Sequence, residues 1–243
     1  MDLLVILIVR GINYLIYKMD DINICYTIDK NNVELTLNSI FYIKKFFKNK
    51  KYNLSFYIVS NDDLTLPDFI NFKKIDTKYS IVQQRFLLPE IINLDKIIFL
   101  DSDTIAMTCI SKLWDINLEN KIAGGCILKP IPNFNRLVNK WNFNFKPFNK
   151  LGNKPYFNTG VLLIDFNLLN KKNITNKCKD FLLSYKHTQH KHRGEPCINA
   201  ALVDNIKTID ERWNHCPESK FKKVFISHYY NINLKSKPDH KLY

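Results

Sequence analysis

Glycine is scarce: the chain has six in 243 residues, and none lies between Ile12 and Ala123. That excludes the glycine-rich phosphate loop with which a sugar nucleotidyltransferase opens, because close backbone approach to phosphates needs residues without a Cβ. The six cysteines (Cys25, Cys109, Cys126, Cys178, Cys197 and Cys216) stand singly. With no C-x-x-C pair among them, zinc and redox motifs are excluded, and reduced thiols in a cytosol-like compartment are expected. Also missing is an unbroken apolar run of about 20 residues, the length of an ordinary membrane span. Leu3 to Val9 and Ile12 to Tyr17 are apolar patches interrupted by Arg10-Gly11, and the Met1-Asp2 start lacks the positive flank of a signal peptide. Residues 1–20 therefore read as a packed or peripheral apolar extension, with a poor signal anchor as the alternative. No repeat, low-complexity tract or compositional linker divides the remainder.

What is present suits one sizeable α/β core: hydrophobic residues make up 46% of the chain and charged residues 24%. The formal net charge of +13, from 36 Lys and Arg against 23 Asp and Glu, favours anionic ligands such as phosphates. The lysines are spread along the whole length without forming a basic stripe, so nucleic acid is not an expected partner.

Ile22 to Ile28 reads as a buried strand that ends at Asp29 and an Asn31-Asn32 turn. Val33 to Phe47 carries apolar residues at helical spacing and turns lysine-rich, as a helix C-terminus favours; Leu54 to Val59 is a second strand. This β-α-β unit predicts an open, mostly parallel sheet whose ligands sit beyond the strand C-termini. Further along, the pattern predicts a helix over Gln83–Ile92, a strand over Lys96–Leu100 and another over Val161–Phe166. Helix is predicted over residues 167 to 193 and from Cys197 to Val203.

Phe99-Leu100-Asp101-Ser102-Asp103-Thr104 is the central motif. If the strand continued through it, residues i and i+2 would face one side, and both carboxylates could converge on a hard cation and a diphosphate. Read alone, two aspartates at a strand end serve equally well as turn and cap residues. A haloacid-dehalogenase-type phosphatase also places Asp-x-Asp after a strand, but Thr104 falls one position early for it and no second acidic cluster follows. Near the other end, Ile226-Ser227-His228-Tyr229 presents an imidazole, and manganese takes nitrogen beside oxygen ligands more readily than magnesium does.

Taken in order, five blocks resemble the retaining glycosyltransferases of family 8, over roughly Ile22 to His240. They are Ile24-Cys25-Tyr26-Thr27-Ile28-Asp29, Arg85-Phe86-Leu87-Leu88-Pro89-Glu90, Ile98 to Thr104, Tyr156-Phe157-Asn158-Thr159-Gly160-Val161-Leu162-Leu163-Ile164, and Ser227-His228-Tyr229 with Lys237-Pro238. The resemblance implies a single-domain GT-A fold with a Rossmann-like sheet, occupying 21–215 and completed by a tail over 216–243. It implies a UDP-sugar donor, hexose transfer with retention, and a manganese ion, with magnesium as the alternative, on Asp101, Asp103 and His228. Thr27 and Asp29 would touch the nucleoside, Arg85 and Lys237 would steady the diphosphate and sugar, Asn158 would border the sugar pocket, and Ser102 is a further donor-binding candidate.

Two departures stand out. The family's segment resembling Asp-Gln-Asp corresponds here to Gly194-Glu195-Pro196, so a carboxylate, Glu195, replaces the carboxamide near the reacting carbon. Glu195 and Asn158 are accordingly the candidate catalytic residues. In the tail, the interval from His228 to Lys237 is longer than usual and lacks the family's glycine. The acceptor stays open among a glycan, a lipid, a small alcohol and a protein tyrosine, and the oligomeric state is undetermined by the sequence. A catalytically silent GT-A domain that binds nucleotide sugar is the competing reading. The expected compartment is the cytoplasm, with a secretory route through an N-terminal anchor as the alternative.

Overall fold

The computed structural model describes residues 5–9, 12–16, 19–141, 146–184, 194–217 and 223–230. An antiparallel hairpin comes first, β1 (Val5–Val9) with β2 (Ile12–Ile16). The strands that follow are β3 (Asp20–Thr27), β4 (Tyr52–Ser60), β5 (Ile70–Lys74), β6 (Lys96–Leu100), β7 (Thr104–Ala106), β8 (Ala123–Ile127), β9 (Phe157–Asp165), β10 (Ile206–Thr208) and β11 (Ile226–His228). The helices are α1 (Val33–Phe46), α2 (Ile81–Gln84), α3 (Leu88–Ile91), α4 (Ser111–Trp114), α5 (Phe134–Trp141), α6 (Lys146–Asn149), α7 (Phe166–Lys171), α8 (Ile174–Ser184) and α9 (Gly194–Leu202).

Seven strands form the main sheet in the order β10-β8-β9-β6-β3-β4-β5. All run parallel except β9, which pairs antiparallel with both β6 and β8. The period-2 alternation of the apolar strands sends side chains to two opposite layers. Ile97 and Phe99 of β6 join Leu162 and Ile164 of β9 on the face covered by α3 and by α5 to α9. Ile98 and Leu100 join Val161 and Leu163 on the other face, against α1, α4 and Trp213. Strands buried on both faces read as continuous apolar runs, which is why β6 and the second half of β9 were legible from hydropathy.

Several boundaries differ from the sequence pattern. The strand predicted over Val161–Phe166 begins four residues earlier, at Phe157, because β8 supplies ladder partners to Phe157 and the polar Asn158. A register shift between Gly125 and Cys126 on β8 accommodates that polar stretch. The helix predicted over Gln83–Ile92 is two short helices: Ser80 and Gln83 form a capping box at the start of α2, and Pro89 sits in the first turn of α3. Proline has no N–H to continue a helix but fits its first turn, so the helix breaks at residues 85–87 and restarts. The helix predicted over 167–193 breaks at Asn173, whose φ of 54° lies in the left-handed region that asparagine tolerates; residues 185–193 lie outside the described ones. The helix expected from Cys197 starts at Gly194, which places Glu195 in its first turn.

Because β9 runs against its neighbours, its N-terminal end, Phe157 to Gly160, lies at the same sheet edge as the C-terminal ends of β3 and β6. A small antiparallel pair, β7 with β11, is formed just beyond that edge, with His228 in register with Thr104.

Candidate active site

The aspartates do not converge through strand periodicity. β6 stops at Leu100, and residues 101–103 form a turn in which the Thr104 N–H and hydroxyl donate to the Asp101 carbonyl, at 3.3 and 2.8 Å. The turn is anchored on both sides: the Asp101 N–H donates to Gly160 O at 2.8 Å and the Tyr229 N–H to Asp103 O at 3.0 Å. Strand conformation yields to this turn because Thr104 must leave the main sheet to pair with β11. The half-buried Ser102 forms the tip between the two carboxylates.

The turn and the register of β11 bring three side chains together. One ligand atom from each of Asp101, Asp103 and His228 lies within 4.8 Å of the others. His228 Nε2 stands 3.2 Å from Asp103 Oδ1 and 3.7 Å from Asp101 Oδ2. The imidazole forms the back of the group at 2% exposure, whereas the two carboxylates are 28% and 27% exposed and open the group to solvent. Burial works to raise the Asp103 carboxyl, but when His228 is protonated on both nitrogens its hydrogen bond and charge, with the charge of Arg85, outweigh burial and hold the group below its ordinary range.

The donor set fits a divalent cation. His228 Nδ1 faces Asn214 Oδ1 at 2.8 Å while Nε2 faces carboxylate oxygens, so the ring lies between acceptors on both sides. Nδ1–H satisfies one side; the other is satisfied only by a positive charge, a proton or a metal ion. Two carboxylate oxygens and an imidazole nitrogen form a mixed oxygen and nitrogen set of the kind that divalent transition metals accept. Gly160 shapes the same space, since a Cβ there would overlap the His228 ring and stand 2.7 Å from Asp101 Oδ2.

Arg85 is buried, not the solvent-facing helix residue its position in a short polar segment would allow. Its Nη1 donates to the Thr159 carbonyl and hydroxyl, both at 2.8 Å, and its Nη2 to Asp101 Oδ1 at 2.9 Å. The guanidinium also lies over the Phe99 ring, 4.7 Å from the centroid. It thereby holds one oxygen of Asp101 and leaves the other toward His228. Asn158 is buried, and its Oδ1 accepts from the Gly160 N–H at 2.8 Å and from Asn214 Nδ2 at 2.9 Å.

Glu195 is half-buried at the start of α9, and its Oε1 is shut off from solvent without a hydrogen-bond partner of normal geometry. Burial pushes its carboxyl up to about 7; Asp101 adds to the rise, while Arg85, the Tyr156 hydroxyl and His228 oppose it. A carboxyl that can be neutral or ionised near pH 7 suits either hydrogen-bond donation or charge stabilisation.

The remaining predicted residues sit at the same sheet edge or beyond the described chain. Thr27 ends β3, and its hydroxyl donates to the Ile81 carbonyl at 3.1 Å, tying the strand end to α2. Asp29 caps the 3₁₀ turn Lys30–Asn32, its Oδ1 accepting from the Asn31 N–H and the Asn32 side chain. Lys237 lies outside the described residues. Sequence reasoning missed Asn214 and Thr159. Thr159 stood within a quoted motif and was passed over; Asn214 belongs to a 3₁₀ turn, Glu211–Asn214, that carries no spacing signal of its own.

Solved glycosyltransferases share this arrangement of strands. The galactosyltransferase LgtC, in complex with donor and acceptor sugar analogs, superposes with a TM-score of 0.67 over 87% of this chain and 88% of that one, at 18% identity. Mouse xyloside xylosyltransferase 1 superposes with a TM-score of 0.59 over 88% and 98%, at 15% identity. The architecture is the GT-A glycosyltransferase fold. Residues 12–240 match the family described as Glycosyl transferase family 8, and the chain belongs to that family. Among curated relatives, the probable galacturonosyltransferase-like 4 of Arabidopsis thaliana is 27% identical over 231 residues, 81% of this chain and 65% of the relative. A putative glycosyltransferase of Haemophilus influenzae is 28% identical over 179 residues, 68% of this chain and 52% of the relative. The chain thus spans between half and two thirds of the length of these relatives. No helix among the described residues is long and apolar enough to cross a membrane.

Proposed function

We propose that the chain is a metal-dependent, retaining transferase that moves a hexose from a UDP-sugar to an acceptor hydroxyl. The observation that supports this most is the convergence of Asp101, Asp103 and His228 at the C-terminal edge of the sheet, where open α/β folds bind nucleotides. Asp101, Asp103 and His228 would hold manganese, or magnesium, and the ion would supply Lewis-acid neutralisation of the charge on a departing nucleotide diphosphate. Asp101 and Asp103 present oxygen ligands from a rigid turn, and His228 presents Nε2 from behind them. Arg85 orients Asp101 through a charge-assisted hydrogen bond. Thr27 and Asp29 border the nucleoside, and Ser102 and the tail lysine Lys237 the diphosphate. Glu195 lies beside the sugar and stabilises positive charge at its anomeric carbon or binds a hydroxyl, and Asn158 shapes the pocket wall.

The relatives' names include galacturonosyl, galactosyl and xylosyl transfer, so the sugar itself is not inherited from the likeness. The test is to incubate the purified chain with a panel of UDP-sugars, with manganese and with chelator, and to measure released UDP. Manganese-dependent release from one donor supports the proposal and names the sugar. Manganese-dependent UDP binding without release, lost in His228→Ala, favours a silent nucleotide-sugar binder instead. Neither binding nor release overturns both.

A further inference from the structure

We infer that Asn214 and Asn158 form an orientation relay that fixes the proton of His228 on Nδ1 and so aims the bare Nε2 at Asp101 and Asp103. Backbone groups have donor and acceptor roles that are not interchangeable. The Gly160 N–H can only donate, and it points at the Asn158 carboxamide at 2.8 Å; the atom it meets must therefore be Oδ1. That same oxygen, together with the Asn158 backbone carbonyl, faces one arm of the Asn214 carboxamide at 2.9 and 3.4 Å. Two acceptors require a donor between them, so this arm is Nδ2. The other arm is then Oδ1, and it lies 2.8 Å from His228 Nδ1. An acceptor at that position requires Nδ1 to carry hydrogen. Each amide flip and the ring tautomer thus follow in turn from one main-chain N–H and one main-chain carbonyl.

The relay connects segments that are far apart in the chain. Asn158 is on β9, Asn214 ends the 3₁₀ turn Glu211–Asn214, and His228 ends β11. The His228 backbone N–H also donates to the His215 carbonyl at 2.8 Å, so His228 is held to residues 214–215 twice, once through its backbone and once through its ring. Asn214 is on this account a positioning residue: it touches no substrate and acts through His228. The role of Asn158 widens accordingly, since its oxygen is committed to the relay and only its amide hydrogens are left for the sugar pocket.

Removing the acceptor has a directional consequence. Without Asn214 Oδ1, the remaining acceptor near the ring is Asp103 Oδ1, 3.2 Å from Nε2. The ring proton then moves to Nε2, where it donates to Asp103 and occupies the nitrogen a metal ion would use. Loss of a partner of this kind costs about 10–100-fold in metal affinity.

The part of this inference that concerns metal affinity rests on the functional reading above; the tautomer does not. The test is ¹⁵N-detected ring NMR of the histidines in the metal-free protein at pH 8, with manganese affinity measured separately by the EPR signal of free ion. The wild type is expected to show His228 with a protonated Nδ1. Asn214→Leu is expected to shift the proton to Nε2 and to lose about 10–100-fold in manganese affinity. An unprotonated Nδ1 in the wild type overturns the inference without recourse to any variant, and so does a folded Asn214→Leu variant with unchanged tautomer. A wild type that shows Nδ1–H yet binds no manganese supports the relay and sinks the functional reading.

Discussion

Gly160 and His228 share one volume: a methyl group on the Gly160 Cα would overlap the imidazole and crowd Asp101 Oδ2 at 2.7 Å. The glycine is needed here for close approach, since its backbone is that of an ordinary strand residue in β9. Gly160→Ala is therefore expected to displace the ring and abolish measurable manganese binding, while circular dichroism shows the sheet intact. A variant that binds manganese as the wild type does would show that the ring is not held where the geometry has it.

Asp103 yields a prediction with a defined sign. Its folded-state carboxyl is held below the ordinary 3.8, because the His228 contact and nearby positive charge outweigh the cost of burial. Such a group stabilises the fold above the ordinary value, and the contribution is lost as pH falls through the depressed one. In metal-free protein, Asp103→Asn is expected to be less stable than wild type at pH 6, with the gap closing in the acid range below 3.8. Urea midpoints at a series of pH values measure it.

Glu195 runs the other way. With its carboxyl raised from 4.5 to about 7 by burial, it favours the folded state below 4.5, and that contribution disappears as pH rises through about 7. Glu195→Gln, neutral throughout, is expected to be the more stable protein at pH 8 and to lose the advantage at pH 4. Unfolding curves for both proteins at the two pH values give the comparison, and parallel pH profiles would show that the carboxyl is not buried as placed.

Arg85 is the donor that fixes Asp101, and it also satisfies the Thr159 carbonyl. Arg85→Met leaves a partly buried carboxylate and a main-chain acceptor without their partner. The expected loss is on the order of 2–3 kcal/mol in chemical unfolding, accompanied by weaker manganese binding. A loss in stability with metal affinity untouched would separate the structural contacts of the guanidinium from its hold on Asp101.

The parts of this fold that were legible beforehand are those in which local pattern and tertiary environment agree. Lys96–Leu100 is apolar on both faces and ends in two carboxylates, so strand and candidate ligands were read together. His228 was legible only through the order of the motifs, because nothing local in Ser227-His228-Tyr229 distinguishes a ligand from a core residue. The Asp-Ser-Asp geometry was misread, since periodicity describes a continuing strand and the chain turns there to reach β11. Phe157–Gly160 falls outside the predicted strand because its polar residues hide a strand whose partners come from β8. Asn214 was invisible: its importance lies in side-chain hydrogen bonds to Asn158 and His228, residues on other elements.

The pairing of β11 with β7 has a consequence for how the protein is made. Asp101 and Asp103 precede Asn214 and His228 in the chain, so the carboxylates are synthesised before the carboxamide and the imidazole. A nascent polypeptide that has folded its main sheet therefore carries the two aspartates without His228 beside them until β11 docks on β7. A divalent cation added during refolding is therefore expected to favour the docking of β11 over the formation of the main sheet.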